Sequence, residues 1–297
     1  MLKLSSFAAP LINSRNFGRR TDSSIADKNG VPLPKSGPLA GVELVTPILE
    51  VDTHLSPDGD ECQFDLDQVG PVVRDLLDCA QTINSSCGLH VHLGRPNGEQ
   101  TDWNPRRIPG LGSGGPASEW KPGHIRTMLL IGLGLENTVF NLVPESRKQS
   151  RHCRKLREVY TNQSIQAYYP LTNLQPRKQD NPQRYCWLNL IETRRPQHPE
   201  EERIGYARSK AFGTFEVRAM GETVDHEYIM AWVKMWVKVA AAVAYLPAES
   251  AALRCLHSGW LQDDIDALRV LKEKHEREIA PIVRSVLPAA PQATAEE

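Results

Sequence analysis

"SSCGLHVHLG", residues 85–94, is the stretch on which the reading of this chain turns. Leu89, Val91 and Leu93 alternate with His90 and His92. Period-two alternation marks a β-strand, whose side chains point to opposite faces in turn. Both imidazoles therefore share one face and the aliphatic residues take the other. Gly88 and Gly94 bound the run and leave room for a close approach. A single histidine on such a face is ordinary. Two on one face, backed by a wholly apolar face, point to a functional cluster, because neutral imidazole is a common metal ligand and titrates near neutrality.

Three further segments read as strands: "GVELVTPIL" (41–49), "YCWLNLIET" (185–193) and "GTFEVRAMGETVD" (213–225). Between them lie helical patterns. One starts near Pro71, one is the apolar "PGHIRTMLLIGLGLENTVFNLV", and "HEYIMAWVKMWVKVAAAVAYL" is followed by the amphipathic "LQDDIDALRVLKEKHEREI". Strands and helices do not alternate as βαβ units. The expectation is an α+β domain with a mainly antiparallel sheet and helices packed on one face, leaving the other for polar chemistry.

Charge and composition exclude several classes. The formal charge is -1, so nothing in the total argues for nucleic acid. The longest apolar run is interrupted by Lys234 and Lys238, four apart on one helical stripe read as solvated, so no membrane span is expected. None of the six cysteines forms a CxxC pair, which argues for reduced thiols and an intracellular, cytoplasmic protein. The first twenty residues carry Lys, Arg and Ser without an acid, a composition that also suits a mitochondrial presequence. Residues 1–39 are expected to be a flexible segment, 40–286 a single catalytic domain and 287–297 a disordered tail.

The four strands each carry polar residues inside an apolar run. Glu43 lies between Val42 and Leu44, and Glu216 and Arg218 flank Val217. Asn189 alternates with Leu188 and Leu190, on a face assigned also to Tyr185 and Trp187. Taken singly these are surface pairs on a wet sheet. Taken together they make one polar surface of two acids, two imidazoles, an amide and a guanidinium. Carboxylates suit Mg²⁺, and Arg suits phosphate or carboxylate.

In this order, "GVELVTPIL", "SSCGLHVHLG", "YCWLNL" and "GTFEVRAMGETVDHEYIMAWV" resemble the amidoligase family of the glutamine synthetase-like carboxylate–amine ligase superfamily, over roughly residues 40–245. The resemblance implies a curved sheet whose concave face binds Mg-ATP, a carboxylate (an amino acid or peptide) and an amine. It makes Glu43, Glu216 and His90 the metal ligands. His90, His92 and Asn189 would line the nucleotide site, and Arg218 would contact phosphate, so that Glu43, Glu216, Arg218 and His92 carry the catalysis. The chain departs from the pattern twice. Relatives place a second acid where Val45 stands, and Glu222 intervenes between Gly221 and Thr223 and offers a substitute carboxylate.

The reaction so implied is amide-bond formation through an acyl phosphate, with positioning and electrostatics as the protein's share. The Gly-rich loop 95–121 reads equally as a lid or as a surface loop. Arg147, Arg151 and Arg154 recur at helical spacing. They read as a solvated basic stripe or, for Arg147 and Arg151, as a clamp for phosphate, as in a bound nucleotide, or for an acidic substrate. Two other functions stay open: a zinc hydrolase built on His90 and His92, and a binding domain of the same fold without activity.

Overall fold

The computed structural model describes residues 2–6, 18–21, 42–45, 53–55, 62–64, 66, 69–71, 73–74, 88–94, 120, 122–148, 150, 153–160, 185–190, 214–221, 223 and 225–278. Strands β1 (Leu2–Ser6), β2 (Gly18–Thr21), β3 (Val42–Val45), β6 (Leu89–Leu93), β7 (Leu188–Asn189) and β8 (Phe215–Val217) form one sheet in the order β2-β3-β1-β6-β8-β7. Every pairing in it is antiparallel. A separate two-stranded sheet pairs β4 (Thr53–Leu55) with β5 (Cys62–Phe64).

Two strands of the main sheet come from the segment 1–39 expected to be flexible. In "LKLSS", Leu2 and Leu4 alternate with Lys3 and Ser5, a strand period hidden within a Ser- and Lys-rich composition. β1 occupies an interior place, between β3 and β6. The other residues of that segment, and the tail 287–297, lie outside the described residues.

The apolar face of the sheet is the floor of the core. Leu89, Val91, Leu93, Phe215, Val217 and Leu188 are all buried, as strand alternation demands. Two helices cover them: α1 (Pro122–Leu142) and α4 (His226–Tyr245). Helix α4 begins at Asp225, whose side chain accepts from the amide of Tyr228 and satisfies one of the orphan donors of the first turn. Its Trp232 and Trp236 are fully buried, and Trp236 meets Trp187 at a ring separation of 5.6 Å. By length and apolarity α4 meets the criterion for a membrane span, and 67% of that stretch is buried inside the protein. The helical turn expected near Pro71 falls at residues 69–71 and 73–74.

The lysine stripe of α4 is not simply solvated. Lys238 and Lys234 lie 2.5 and 3.6 Å from the buried carboxylate of Asp264. Asp264 is on α6 (Gln262–Glu278), which packs on α4 after the short α5 (Ala248–Leu256). A buried acid needs such partners, and here they lock the last helix to the core.

Trp187 departs from the expected alternation. The chain bends there, so Trp187 and Leu188 both reach Gly132 of α1, and the Trp187 indole donates to Glu136 at 3.1 Å. Glu136 is buried and also accepts the amide of Leu156, at the start of the short α3 (Leu156–Val159). Gly132 exists for this contact. A Cβ there would lie 2.7 Å from Leu188 Cδ2 and 2.9 Å from Leu156 Cδ1, both inside the core. Gly132→Ala is therefore expected to destabilise by about 1–3 kcal/mol through overpacking. Helix propensity alone favours Ala by roughly 1 kcal/mol. Urea denaturation decides between them: a more stable variant would show that the helix–sheet contact is loose.

Candidate functional site

The site is built around one carboxylate. Antiparallel register sets Glu216 of β8 opposite His92 of β6 on one side and Asn189 of β7 on the other. Directly opposed residues in a sheet share a face, so three strands deliver polar groups to one point. Glu216 Oε1 lies 3.1 Å from His90 Nδ1, 3.4 Å from Arg218 Nε and 3.5 Å from His92 Nε2. Asn189 Nδ2 donates to Oε2 at 2.7 Å. Five of the residues singled out in the sequence thus form one cluster: His90, His92, Asn189, Glu216 and Arg218.

Burial grades across the cluster. The side chains of Glu216 and His92 are 5% and 1% exposed, against 12% for His90 and 14% for Arg218. Burial alone would raise the Glu216 carboxyl, but Arg218, His92 and His90 outweigh it and hold the acid well below the usual carboxylate range. His90 goes the other way. Burial, assisted by the charge of Arg218, lowers it from 6.5 to about 3 against the pull of Glu216. At neutral pH the cluster therefore holds an ionised acid, a guanidinium and a neutral His90.

Arg147 backs this cluster instead of clamping a ligand. It is 3% exposed and its Nη2 donates to the carbonyl of Arg218 at 2.7 Å. Two glycines make its berth. A Cβ on Gly88 would come within 3.1–3.3 Å of the guanidinium, and one on Gly221 within 2.8 Å of Arg147 Cγ. Gly88 thus has the close approach expected of it, while a Cβ on Gly94 would meet nothing within 4 Å. The basic run 144–160 is not one helix, which corrects the stripe read from its spacing. Arg147 lies in α2 (Glu145–Lys148), whereas Arg154 forms an isolated bridge to Cys186 and pairs loosely with Glu158. Arg151 lies outside the described residues, as do Glu222 and all of 95–121 except Trp120. Trp120 stacks on Phe215 at 4.2 Å and donates to the carbonyl of Leu93. The described cysteines Cys153, Cys186 and Cys255 are buried free thiols, and burial pushes Cys153 up to about 11.

Glu43 stands apart from the cluster. Its register position, opposite Ser5 and Arg20, is on the same face as His90 and His92. But β1 and β6 intervene between β3 and β8. Three strand spacings separate the Glu43 and Glu216 backbones by about 14 Å. Of the metal set implied by resemblance, Glu216 and His90 are brought together, while Glu43 stands on a strand three places away. Among the described residues no three His, Cys, Asp or Glu groups are placed to hold a metal. Both Glu216 oxygens are already committed, one of them beside a guanidinium, which is a poor setting for a second cation.

Three positions on the polar face escaped the sequence reading. Thr214 Oγ1 lies 2.9 Å from His92 Nδ1. The signal was present, since Thr214, Glu216 and Arg218 follow the same period of two in "GTFEVR". Lys3 sits opposite both Val45 and His90, and Arg20 sits opposite Glu43.

The depressed His90 has a consequence for acid stability. An unfolded His90 takes up a proton below pH 6.5 and the folded one does not until about 3, so stability falls as pH drops through that window. The slope is at most about 1.4 kcal/mol per pH unit. Protonation of unfolded carboxyls adds to it below about pH 4.5, and His275, also lowered by burial, adds to it between 6.5 and 4.5, where His90 is read as the difference between wild type and variant. His90→Gln should flatten the curve there, as read by urea melts at stepped pH. An unchanged slope would mean that His90 is protonated in the fold.

No curated protein and no solved structure matches the chain. One family model does, over about a third of the residues, from β2 through β6 and including Glu43, His90 and His92. Residues 12–108 match the family described as "Putative amidoligase enzyme", the family that the strand motifs resemble.

Proposed function

We propose that the chain is an ATP-dependent ligase that joins a carboxylate, of an amino acid or peptide, to an amine through an acyl phosphate. The observation that carries the reading is the charge of the polar face. Arg218 is half-buried beside a neutral His90, and Lys3 and Arg20 add cationic positions to the same side of the sheet. Such a surface favours phosphate and carboxylate groups. The amidoligase match over β2–β6 supports it.

In this reading a carboxylate oxygen attacks the γ-phosphorus, the O–P bond forms and ADP leaves with the electrons of the broken bond. An amine nitrogen then attacks the acyl carbon, the C–N bond forms, phosphate departs and the surplus proton passes to solvent. Arg218 binds the anionic groups and stabilises charge as it develops on the transferring oxygens. Glu216 holds Arg218 and His90 in place. His90 stays neutral and adds no charge of its own, which keeps the field of Arg218 directed at the ligand. Mg²⁺ would accompany the nucleotide and neutralise its phosphates. The described residues form no group of three or more His, Cys, Asp or Glu ligands for it. The zinc hydrolase is disfavoured by Arg218, whose Nε shares the oxygen that a metal on His90, His92 and Glu216 would need.

The test is ADP release and hydroxamate formation from ATP, Mg²⁺, hydroxylamine and each of the common amino acids. Wild type should form hydroxamate with at least one of them. Arg218→Met should lower the rate by about 10²-fold, the usual worth of one electrostatic stabiliser. His92→Ala should lower it at least tenfold, about 1.4 kcal/mol, with the melting temperature largely kept. Nucleotide binding without turnover would favour the inactive binding domain, and no nucleotide binding at all would end the ligase reading.

A further inference from the structure

Both ring nitrogens of His92 face groups carried by one strand. Thr214 Oγ1 lies 2.9 Å from Nδ1, and Glu216 Oε1 lies 3.5 Å from Nε2. The two partners are spaced i, i+2 along "GTFEVR", so the period of the strand aims both at the same ring. The ring is 1% exposed while Thr214 is only half-buried. The three groups thus run from the interior of the sheet toward its rim.

The chemistry of the partners fixes the hydrogen. An ionised carboxylate only accepts, so a favourable contact with Glu216 requires the hydrogen on Nε2. In the neutral ring Nδ1 then carries the lone pair, and the only group of the pair able to donate is the Thr214 hydroxyl. With the carboxylate alone the ring could still rotate about its bond to Cβ. The second contact removes that freedom.

We propose that Thr214 is a positioning residue that holds His92 in one ring orientation and one tautomer, with the hydrogen on Nε2. It acts through His92 and so rests on the assignment of His92 to the ligase site. A hydroxyl at residue 214 is required, and its methyl group is dispensable. Ser should replace Thr, and the near-isosteric Val should not. Val keeps the volume, so any loss in Thr214→Val belongs to the lost hydrogen bond and not to a cavity.

The measurement is the ¹⁵N-histidine spectrum of the full chain at fixed pH 8, with the His92 signals assigned by their loss in His92→Gln. Wild type and Thr214→Ser should show His92 as a single tautomer protonated on Nε2, and Thr214→Val as a mixture, with thermal melts unchanged. In the hydroxamate assay Thr214→Val should lose at least about tenfold in kcat with little change in KM for ATP, and Thr214→Ser should restore most of it. If Thr214→Val does not fold, Thr214→Ala takes its place in both measurements. A wild-type ring protonated on Nδ1, or a Val or Ala spectrum identical to wild type, overturns the proposal. Absence of hydroxamate with wild type counts against the ligase reading alone, because the spectra still decide the role of Thr214.

Discussion

The polar half of the protein depends on the carboxylate of Glu216, buried within the sheet. An isolated ionised acid there would be very costly to desolvate. It is tolerated because β6, β7 and β8 each bring a polar group to it: two imidazoles and, just past the end of its own strand, Arg218 within ion-pair distance, and the Asn189 amide, which donates a hydrogen bond. The dependence is mutual. The Arg218 guanidinium is in turn paired with Glu216, and its carbonyl is held from behind by Arg147. Arg147 in turn needs the missing side chains of Gly88 and Gly221. Removing one partner of such a network strands the others, so its members are best regarded as a unit.

The apolar half follows from a different constraint, the fit of α1 and α4 against the opposite face. Gly132 lets Leu188 and Leu156 close on α1, and Glu136 satisfies both an indole and a helix-start amide inside that contact. The same two-residue strand β7 therefore serves both halves. Leu188 seals the core and Asn189 completes the shell of Glu216.

Much of this was legible in the sequence, for a physical reason. Period-two alternation is strict, so "LHVHL" and "FEV" assign faces without reference to the rest of the chain. His90, His92, Glu216, Arg218 and Asn189 could be grouped on that ground alone. What alternation cannot supply is strand order. Nothing in "VELV" says that another strand will stand between it and "LHVHL", and that intervening strand separates Glu43 from the acid with which it was grouped. Bends are equally silent, which is why Trp187 was assigned to the wrong face. Helical spacing misled at Arg147 and Arg154 because the chain turns away between them. β1 was passed over because its composition resembles that of a tail, although its alternation is that of a strand.

The place of β1 also sets the order in which the protein can be made. Its residues are 2–6, yet its two partners are 42–45 and 89–93, and β6 in turn waits for 215–217. During vectorial synthesis β1 must stay unpaired on one edge until β6 emerges. The polar cluster cannot close until more than two-thirds of the chain has appeared. Pairings of this sequence separation make a sheet slow to form and leave open edges while it waits. The charged Lys3 and Arg20 on those early strands are what such an edge needs to resist pairing with another chain before its own partner arrives.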